Sequence, residues 1–112
     1  MLIRSQNKEV LVAFEFLPDI EVSGGVISAR RDMGWCCLLG EYSTKAKAIK
    51  VLDMIQEAYE EYKIACIFLT GFTGHRAIVE SNDIRINGYK ELIKSFKKNI
   101  AFQMPEDSEV EV

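Results

Sequence analysis

The sequence predicts an α+β fold in which an antiparallel β-meander packs against one long α-helix, followed by a second short helix and a C-terminal closing strand. Short apolar, β-branched segments separated by Gly and Asp turns fill residues 2–39, a pattern typical of consecutive antiparallel strands. From Ser43 onward, apolar residues recur at spacings of three and four, which is the period of one helix face. The chain has 112 residues, the usual length of one domain.

The strands are predicted from apolar runs that end at turn residues. Ser23-Gly24-Gly25 predicts a tight hairpin, because glycine adopts the positive φ angles that such a turn requires. Pro18 and Asp19 interrupt the run before it, and residues 31–34 predict a second turn. The predicted strands are residues 2–5, 10–14, 20–22, 26–30 and 35–39.

The long helix is predicted to begin at Ser43, whose hydroxyl would cap it by accepting a backbone N–H. Residues 64–69 form an apolar run that fits either a strand or a buried extension of this helix, and periodicity does not decide between them. The predicted apolar face comprises Ala46, Ile49, Leu52, Ile55, Ala58, Tyr59 and Tyr62.

The sequence after the helix predicts shorter elements. Residues 71–75 predict a loop, and residues 77–79 and 84–86 predict a hairpin. Asn87 is predicted to cap the short second helix.

The closing strand is predicted from the alternation of residues 100–104, with Phe102 buried and Pro105 ending the strand. Residues 1–105 would then form a single α+β domain, and residues 106–112 an acidic C-terminal tail. We expect the fold to tolerate loss of the tail, because it is polar and terminal.

The charge is concentrated in that tail. Four of the 17 Asp and Glu residues lie there, so the other 13 nearly balance the 14 Lys and Arg residues. A nearly neutral body argues against general nucleic-acid binding, which needs a basic surface.

No feature of the sequence predicts export or membrane insertion. A signal peptide would begin with a basic segment and a long apolar run, and the longest apolar stretch is far shorter than the ~20 residues that span a bilayer. Cys36, Cys37 and Cys66 lack the spacing of a disulfide framework. We therefore expect a cytoplasmic protein, in the host cell cytosol, with reduced and buried cysteines.

The sequence also lacks a pattern that predicts catalysis, a cofactor or a metal site. His75 is the only histidine, and Cys36-Cys37 has no two-residue gap of the kind found in zinc sites. A dyad of His75 with a cysteine is disfavoured because the cysteines lie in apolar runs, which hinder thiolate formation. We expect a binding protein and not an enzyme.

Arginine and aromatic residues near the predicted turns form the candidate ligand site. Arginine forks suit phosphates and aromatic faces suit a base, so they predict binding of a nucleotide-type small molecule. The alternative is that the arginines are ordinary surface charges and Trp35 belongs to the core. The candidate residues are Arg30, Arg31, Trp35, Phe72, His75, Arg76 and Arg85.

Residues 1–8, 39–56 and 102–107 resemble segments of small uncharacterised proteins found in phages and prophages of Gram-positive bacteria. The resemblance implies a phage-type accessory protein. It assigns a role to no residue, and residues 64–98 match nothing in it.

The resemblance, the small size and the arginine and aromatic loops together predict a counter-defence binder that sequesters a nucleotide-type host immune signal. Such proteins are usually homo-oligomers with pockets at subunit interfaces, so by analogy we expect a homo-oligomer. One alternative is a protein-binding inhibitor of a host defence nuclease, of the anti-CRISPR type, whose acidic tail would mimic phosphates. Another alternative is a small phage regulator or assembly factor.

Overall fold

The computed structural model describes residues 1–30, 36–73, 94 and 97–111. Within these ranges the α+β prediction is confirmed: short strands pack against one long helix, α1 (Lys45–Thr73). Lys94 and residues 97–100 are helical, so a short helical segment precedes the last strand. The strands are β1 (Leu2–Arg4), β2 (Leu11–Ala13), β3 (Asp19–Ser23), β4 (Val26–Arg30), β5 (Cys36–Glu41) and β6 (Ala101–Gln103).

The first sheet has the order β2-β1-β6. β1 pairs antiparallel with β2, Ile3 lying opposite Val12, and parallel with β6, Ile3 lying opposite Phe102. Parallel neighbours need a long connection, which α1 and the residues after it supply. The predicted closing strand is therefore present, and it lies beside the N-terminal strand.

The second sheet is the antiparallel meander β3-β4-β5. The predicted hairpin is confirmed: Ser23 lies opposite Val26, and Gly24 has a φ of +60°. Gly25 is needed for a different reason, since a Cβ there would lie 2.1 Å from the backbone oxygen of Tyr42. The single meander predicted for residues 2–39 is thus divided between two sheets.

A β-bulge between β4 and β5 decides which leucine of β5 enters the core. Ile27 lies opposite Gly40 and Ser28 opposite Leu38, so Leu39 is the additional residue. A bulge turns the side chain at that position, and Leu39 is buried while Leu38 is 51% exposed.

Gln6 joins the two sheets. Its backbone N–H donates to the Leu39 oxygen at 2.7 Å. Its side-chain amide donates to the Glu41 oxygen at 3.0 Å and accepts the Glu41 N–H at 2.9 Å. The same amide nitrogen lies 3.2 Å from the Pro105 oxygen. One side chain therefore bonds β5 as a neighbouring strand would and also holds the C-terminal segment.

The N-cap of α1 is Thr44 and not Ser43. The Thr44 hydroxyl accepts the Lys47 N–H at 3.1 Å, which is the capping geometry. The Ser43 N–H instead donates to the Asp107 carboxylate at 2.7 Å. The tertiary contact with the C-terminal segment thus moves the cap by one residue.

The helix continues through the apolar run to Thr73. The helical extension predicted as one alternative for residues 64–69 is present, but it is not buried as predicted, since Ile64 and Ile67 are 67% and 72% exposed. The loop predicted from Gly71 is wrong for residues 71–73. The hairpin at 77–79 and 84–86 and the cap at Asn87 lie outside the described residues.

The buried face of α1 differs from the predicted stripe in its first turns. Ala46 and Ile49 are exposed, whereas Ala48, Val51 and Ile55 are buried. These three pack with a core that both sheets share; its other members are Met1, Ile3, Val12, Ile27, Ala29, Leu39, Tyr42, Met104 and Val110. Phe102, the residue predicted to be buried, is only partly buried. Met104, two residues later, belongs to the buried core.

Residues 104–111 pack onto the start of α1; we call this contact the C-terminal junction. The Val110 side chain is 4% exposed and belongs to the core. Lys47 lies 3.5 Å from the Asp107 carboxylate, and Lys50 contacts the Glu111 oxygen. Glu106 and Glu109 form a capping box around the short 3-10 turn at residues 107–109. This packing does not fit the expectation of a dispensable polar tail.

Tyr42 is the central side chain of the C-terminal junction. Its hydroxyl donates to the Pro105 oxygen at 2.8 Å. Burial, followed by the negative charges of Glu106, Asp107 and Glu109, raises the pKa of Tyr42 to about 12. The Ser43 N–H, helped by Lys47, holds the pKa of Asp107 below its usual value. Neutral phenol and ionised carboxylate are therefore the forms that the fold favours.

Candidate ligand groove between β3 and α1

An open groove of about 590 Å³ lies between α1 and the segment that leads into β3. Small-molecule sites usually have volumes of about 300–1,000 Å³, so the size suits a small organic ligand. Its lining is Phe14, Leu17, Pro18, Asp19, Ile20, Leu52, Ile55, Gln56, Tyr59 and Glu60.

The first wall is formed where the chain crosses from one sheet to the other. Residues 14–16 form a 3-10 turn, closed by the Leu17 N–H donating to the Phe14 oxygen at 3.2 Å. Pro18 follows, and its ring restricts the backbone at the entry to β3. The apolar side chains of this crossing line the groove, and its backbone does not take part in strand pairing.

The second wall is the middle of α1. Leu52, Gln56 and Tyr59 recur at spacings of four and three, so they share one helix face. The Tyr59 ring stacks on Phe14, with centroids 4.3 Å apart and planes inclined by 29°. That aromatic pair joins the two walls at one end, and the buried side chain of Ile55 connects the groove to the core.

Asp19 brings a negative charge to the apolar lining. Its Oδ2 lies 3.7 Å from Arg30 Nε, while Arg30 Nη2 makes the shorter contact with Glu21, at 3.0 Å. Its Oδ1 is buried and has no hydrogen-bond partner within the part of the chain that the structure describes. The Asp19 side chain as a whole is 39% exposed, so it is a partly solvated carboxylate of the lining that pairs with Arg30.

The other polar groups of the lining do not neutralise this charge. Gln56 Nε2 donates to Glu60 Oε1 at 3.3 Å. This neutral amide does not cancel the charge of Glu60, which is the second carboxylate of the lining. The described lining contains no Lys or Arg. The groove therefore combines an apolar interior with negative charge.

The seven predicted site residues are not brought together by the described structure. Arg30 ends β4 and is engaged by Asp19 and Glu21, and Phe72 lies in α1, where only the backbone is described. The other five lie outside the described residues: Arg31, Trp35, His75, Arg76 and Arg85. The predicted site stays a prediction.

No local sequence pattern predicts the groove. Pro18 and Asp19 predict only an interruption between strands, and Leu52 and Tyr59 an apolar helix face. An acidic residue directly after proline, between two apolar runs, was the available signal. This signal alone does not predict a groove, because the second wall is part of α1 and the two walls are more than thirty residues apart in sequence.

The prediction that all three cysteines are buried is wrong for Cys36 and only partly correct for Cys37 and Cys66. Cys37 and Cys66 are partly buried and Cys36 is exposed, and all three are free thiols. Among the residues described, no group of three or more His, Cys, Asp or Glu could hold a metal ion. No described helix has the length and apolar character needed to cross a membrane.

Comparison with known proteins does not assign a family. No protein-family model, curated protein or solved structure matches the chain. The resemblance to phage proteins stays a prediction, and function has to be argued from the site.

Proposed function

We propose that this chain is a non-catalytic binding protein that holds a small, largely apolar ligand in the groove between β3 and α1. The observation that carries the proposal is the lining. Seven of its ten side chains are apolar or aromatic, and the volume is about 590 Å³. Pockets with an apolar lining and a few convergent polar groups are the usual form of small-molecule sites.

The groove does not suit the nucleotide-type ligand expected from the sequence. Asp19 and Glu60 line it, and like charges disfavour a phosphate. Among the arginines predicted to bind phosphate, Arg30 is the one that the structure describes, and it already pairs with the carboxylates of Asp19 and Glu21. A nucleotide would therefore need a site built mainly from residues outside the described ranges.

The C-terminal junction weakens the alternative of a phosphate-mimicking tail. Glu106 and Glu109 cap a turn, Asp107 bonds Ser43 and Lys47, and Val110 is buried. Deleting this segment would disturb the fold itself, so loss of activity on deletion would not identify a mimic.

The proposal is tested with phenethyl alcohol, a neutral apolar probe, titrated into the protein while backbone amide shifts are followed by NMR. We expect the shifts to centre on Ile20, Leu52 and Tyr59. Leu52→Gln should weaken binding about three- to tenfold, because its polar amide replaces apolar contact surface equivalent to about one to two methylene groups. Ile49→Gln is the matched control, because Ile49 is exposed on the same helix and lies outside the groove. Shifts that avoid the groove, or equal weakening by both variants, would exclude it as the site.

Counter-defence in a phage-infected cell is the biological setting that we propose for this binding. It is supported by the resemblance of residues 1–8, 39–56 and 102–107 to phage proteins. Expression in defence-carrying hosts should restore phage plating, and Leu52→Gln should restore less than Ile49→Gln. Plating that never changes would favour a regulatory or assembly role.

The homo-oligomer expected from that class also stays a proposal. Phe16, Ile64 and Ile67 are 82%, 67% and 72% exposed, and they are the apolar side chains that a second copy would bury.

A further inference from the structure

β3 is an outer strand of its sheet, and one of its edges carries backbone groups that no other described segment bonds. The order β3-β4-β5 leaves that edge without a neighbouring strand among the residues described. Ser23 lies opposite Val26 across the tight turn, so these two form a hydrogen-bonded pair, and alternate residues of β3 direct their backbone groups away from β4. Those residues are Ile20 and Val22, whose N–H and C=O groups accept and donate no backbone bond outside the ladder in the described structure.

The side chains of the same two residues lie on the α1 side of the sheet. Ile20 and Val22 are partly buried and pack against the core, and Ile20 also lines the groove with Leu52 and Tyr59. A strand added to β3 would lie about 4.8 Å from it. Every second side chain of that strand would be on the same face as Ile20. The groove is therefore placed to receive an apolar side chain of an added strand.

The other face of β3 is negatively charged. Asp19 is partly exposed and Glu21 is exposed, and the two share Arg30 as their cation. Two carboxylates and one guanidinium leave a net negative charge on this face. Opposite charges on neighbouring strands are stabilising, so a basic side chain of an added strand would be favoured beside Glu21.

A second copy of this chain does not suit this edge. In the symmetric antiparallel pairing that joins Ile20 of one β3 strand to Val22 of the other, the two Glu21 side chains would lie directly opposite each other, and like charges in that position are destabilising. Charged residues on edge strands commonly prevent such self-pairing. The charge pattern thus favours a different chain that carries basic residues.

We infer that β3 binds an extended peptide segment of a partner protein by adding it to the sheet as a further strand, with an apolar side chain in the groove and Lys or Arg side chains beside Glu21. The inference rests on the proposed function, because the peptide's apolar side chain is the group that the groove holds. In this mode of recognition, backbone hydrogen bonds supply affinity and pockets for alternate side chains supply specificity.

The probe is the capped peptide acetyl-Lys-Leu-Lys-Leu-Lys-Leu-Lys-amide, titrated into the full-length protein while backbone amide shifts are followed by NMR. We expect the shifts to follow β3 and the groove. Two derivatives are compared with it, one N-methylated at every leucine and the other at every lysine. They have the same side chains and the same charge, so nonspecific attraction to the protein affects both equally.

In an added strand only alternate residues donate their N–H to β3. One derivative should therefore bind about tenfold or more weakly than the other, because it loses the backbone bonds to the edge. Methylation at leucine blocks an antiparallel strand, and methylation at lysine blocks a parallel one, so the result also gives the orientation.

Two variants assign the binding to the edge and to its charge. Val22→Pro removes the outward N–H at a position outside the groove, where an edge strand tolerates proline. Peptide binding should fall about tenfold or more, while phenethyl alcohol still binds the groove. Glu21→Gln should weaken peptide binding about two- to fivefold, the effect of one exposed ion pair. Glu57→Gln makes the same charge change at an exposed position of α1 outside the groove and should leave peptide affinity unchanged.

The outcomes separate this inference from the proposed function. Equal affinity of the two methylated peptides overturns the added strand, and so does unchanged peptide affinity in Val22→Pro when melting curves show that the variant is folded. In both cases the groove stays an apolar site if phenethyl alcohol shifts its amides. If neither the peptide nor the alcohol shifts the groove amides, both proposals fail.

Discussion

The C-terminal junction lies against the start of α1 and the groove against its middle, and the two regions differ in how their polar groups are satisfied. At the junction, Gln6, Tyr42 and Asp107 each bond a neighbour at 2.7–3.2 Å. In the groove, Asp19 Oδ1 is buried with no partner in the described structure.

This difference separates stability from binding. Satisfied polar groups around a buried side chain hold segments together, and removing one partner leaves the other uncompensated. The groove is open and its Asp19 side chain is 39% exposed, so solvent can hydrate much of its polar surface. Substitutions at the junction should therefore lower stability more than substitutions of the partly exposed groove residues, with buried Ile55 as the exception.

The largest effect should come from ending the chain after Pro105. This truncation removes buried Val110, worth about 1.5–3 kcal/mol, and the bonds of Asp107, so we expect the free energy of unfolding to fall by about 3–5 kcal/mol. Urea denaturation measures it. Ending the chain after Val110 is the control and should cost under about 0.5 kcal/mol. Similar midpoints for both truncations would contradict the assignment of Val110 to the core.

Two isoleucines on α1 provide the next test. Ile55 is 1% exposed and Ile49 is 43% exposed. Ile55→Ala should cost about 2–5 kcal/mol, as for other buried isoleucines, and Ile49→Ala under about 1 kcal/mol. Leu52→Ala, whose side chain is only partly buried at the groove, should fall between them. Thermal melting of the three variants gives the order, and a different order would mean that the helix is rotated.

Two glutamines compare the regions directly. Gln6→Ala removes the bonds to the Glu41 backbone, which are exposed, and the part-buried bond to the Pro105 oxygen, at a cost of about 0.5–1.5 kcal/mol. Gln56→Ala removes an exposed bond to Glu60 and should change stability by under about 0.5 kcal/mol. Chemical denaturation of both variants measures the difference. Equal costs would show that Gln6 does not join the sheets.

Tyr42 makes the stability of the junction dependent on alkaline pH. Its pKa is about 12 in the fold and about 10 in an unfolded chain. The neutral phenol is thus favoured by folding, so this stabilisation is complete below about pH 10 and is lost as pH rises towards 12.

We expect the wild type to lose about 1 kcal/mol from this group between about pH 9 and pH 11. Tyr42→Phe cannot ionise, so its stability should fall less over the same range, although it starts lower without the bond to Pro105. Urea midpoints across this range measure both slopes. Parallel pH profiles of the two proteins would show that ionisation of Tyr42 does not lower the free energy of unfolding.

Local patterns predicted much of the fold. The Ser23-Gly24-Gly25 hairpin, the strand at residues 101–103 and the helix all follow from turn chemistry and periodicity. The division of residues 2–39 into two sheets did not follow, because strand pairing depends on partners far away in sequence. The cap at Thr44 was missed because Asp107 engages Ser43, and the groove was missed because its walls meet only in the folded chain.

The sequence by itself determined the α+β class, the turns and the amphipathic character of α1, because those depend on residues within one or two turns of each other. Only the tertiary structure decided that Val110 enters the core, that Gln6 joins two sheets and that Asp19 lines a groove together with residues of α1. Each of these depends on burial and hydrogen bonding between segments that are distant in the chain. No local pattern contains that information, since the partner of a side chain is chosen by the packing of the whole domain.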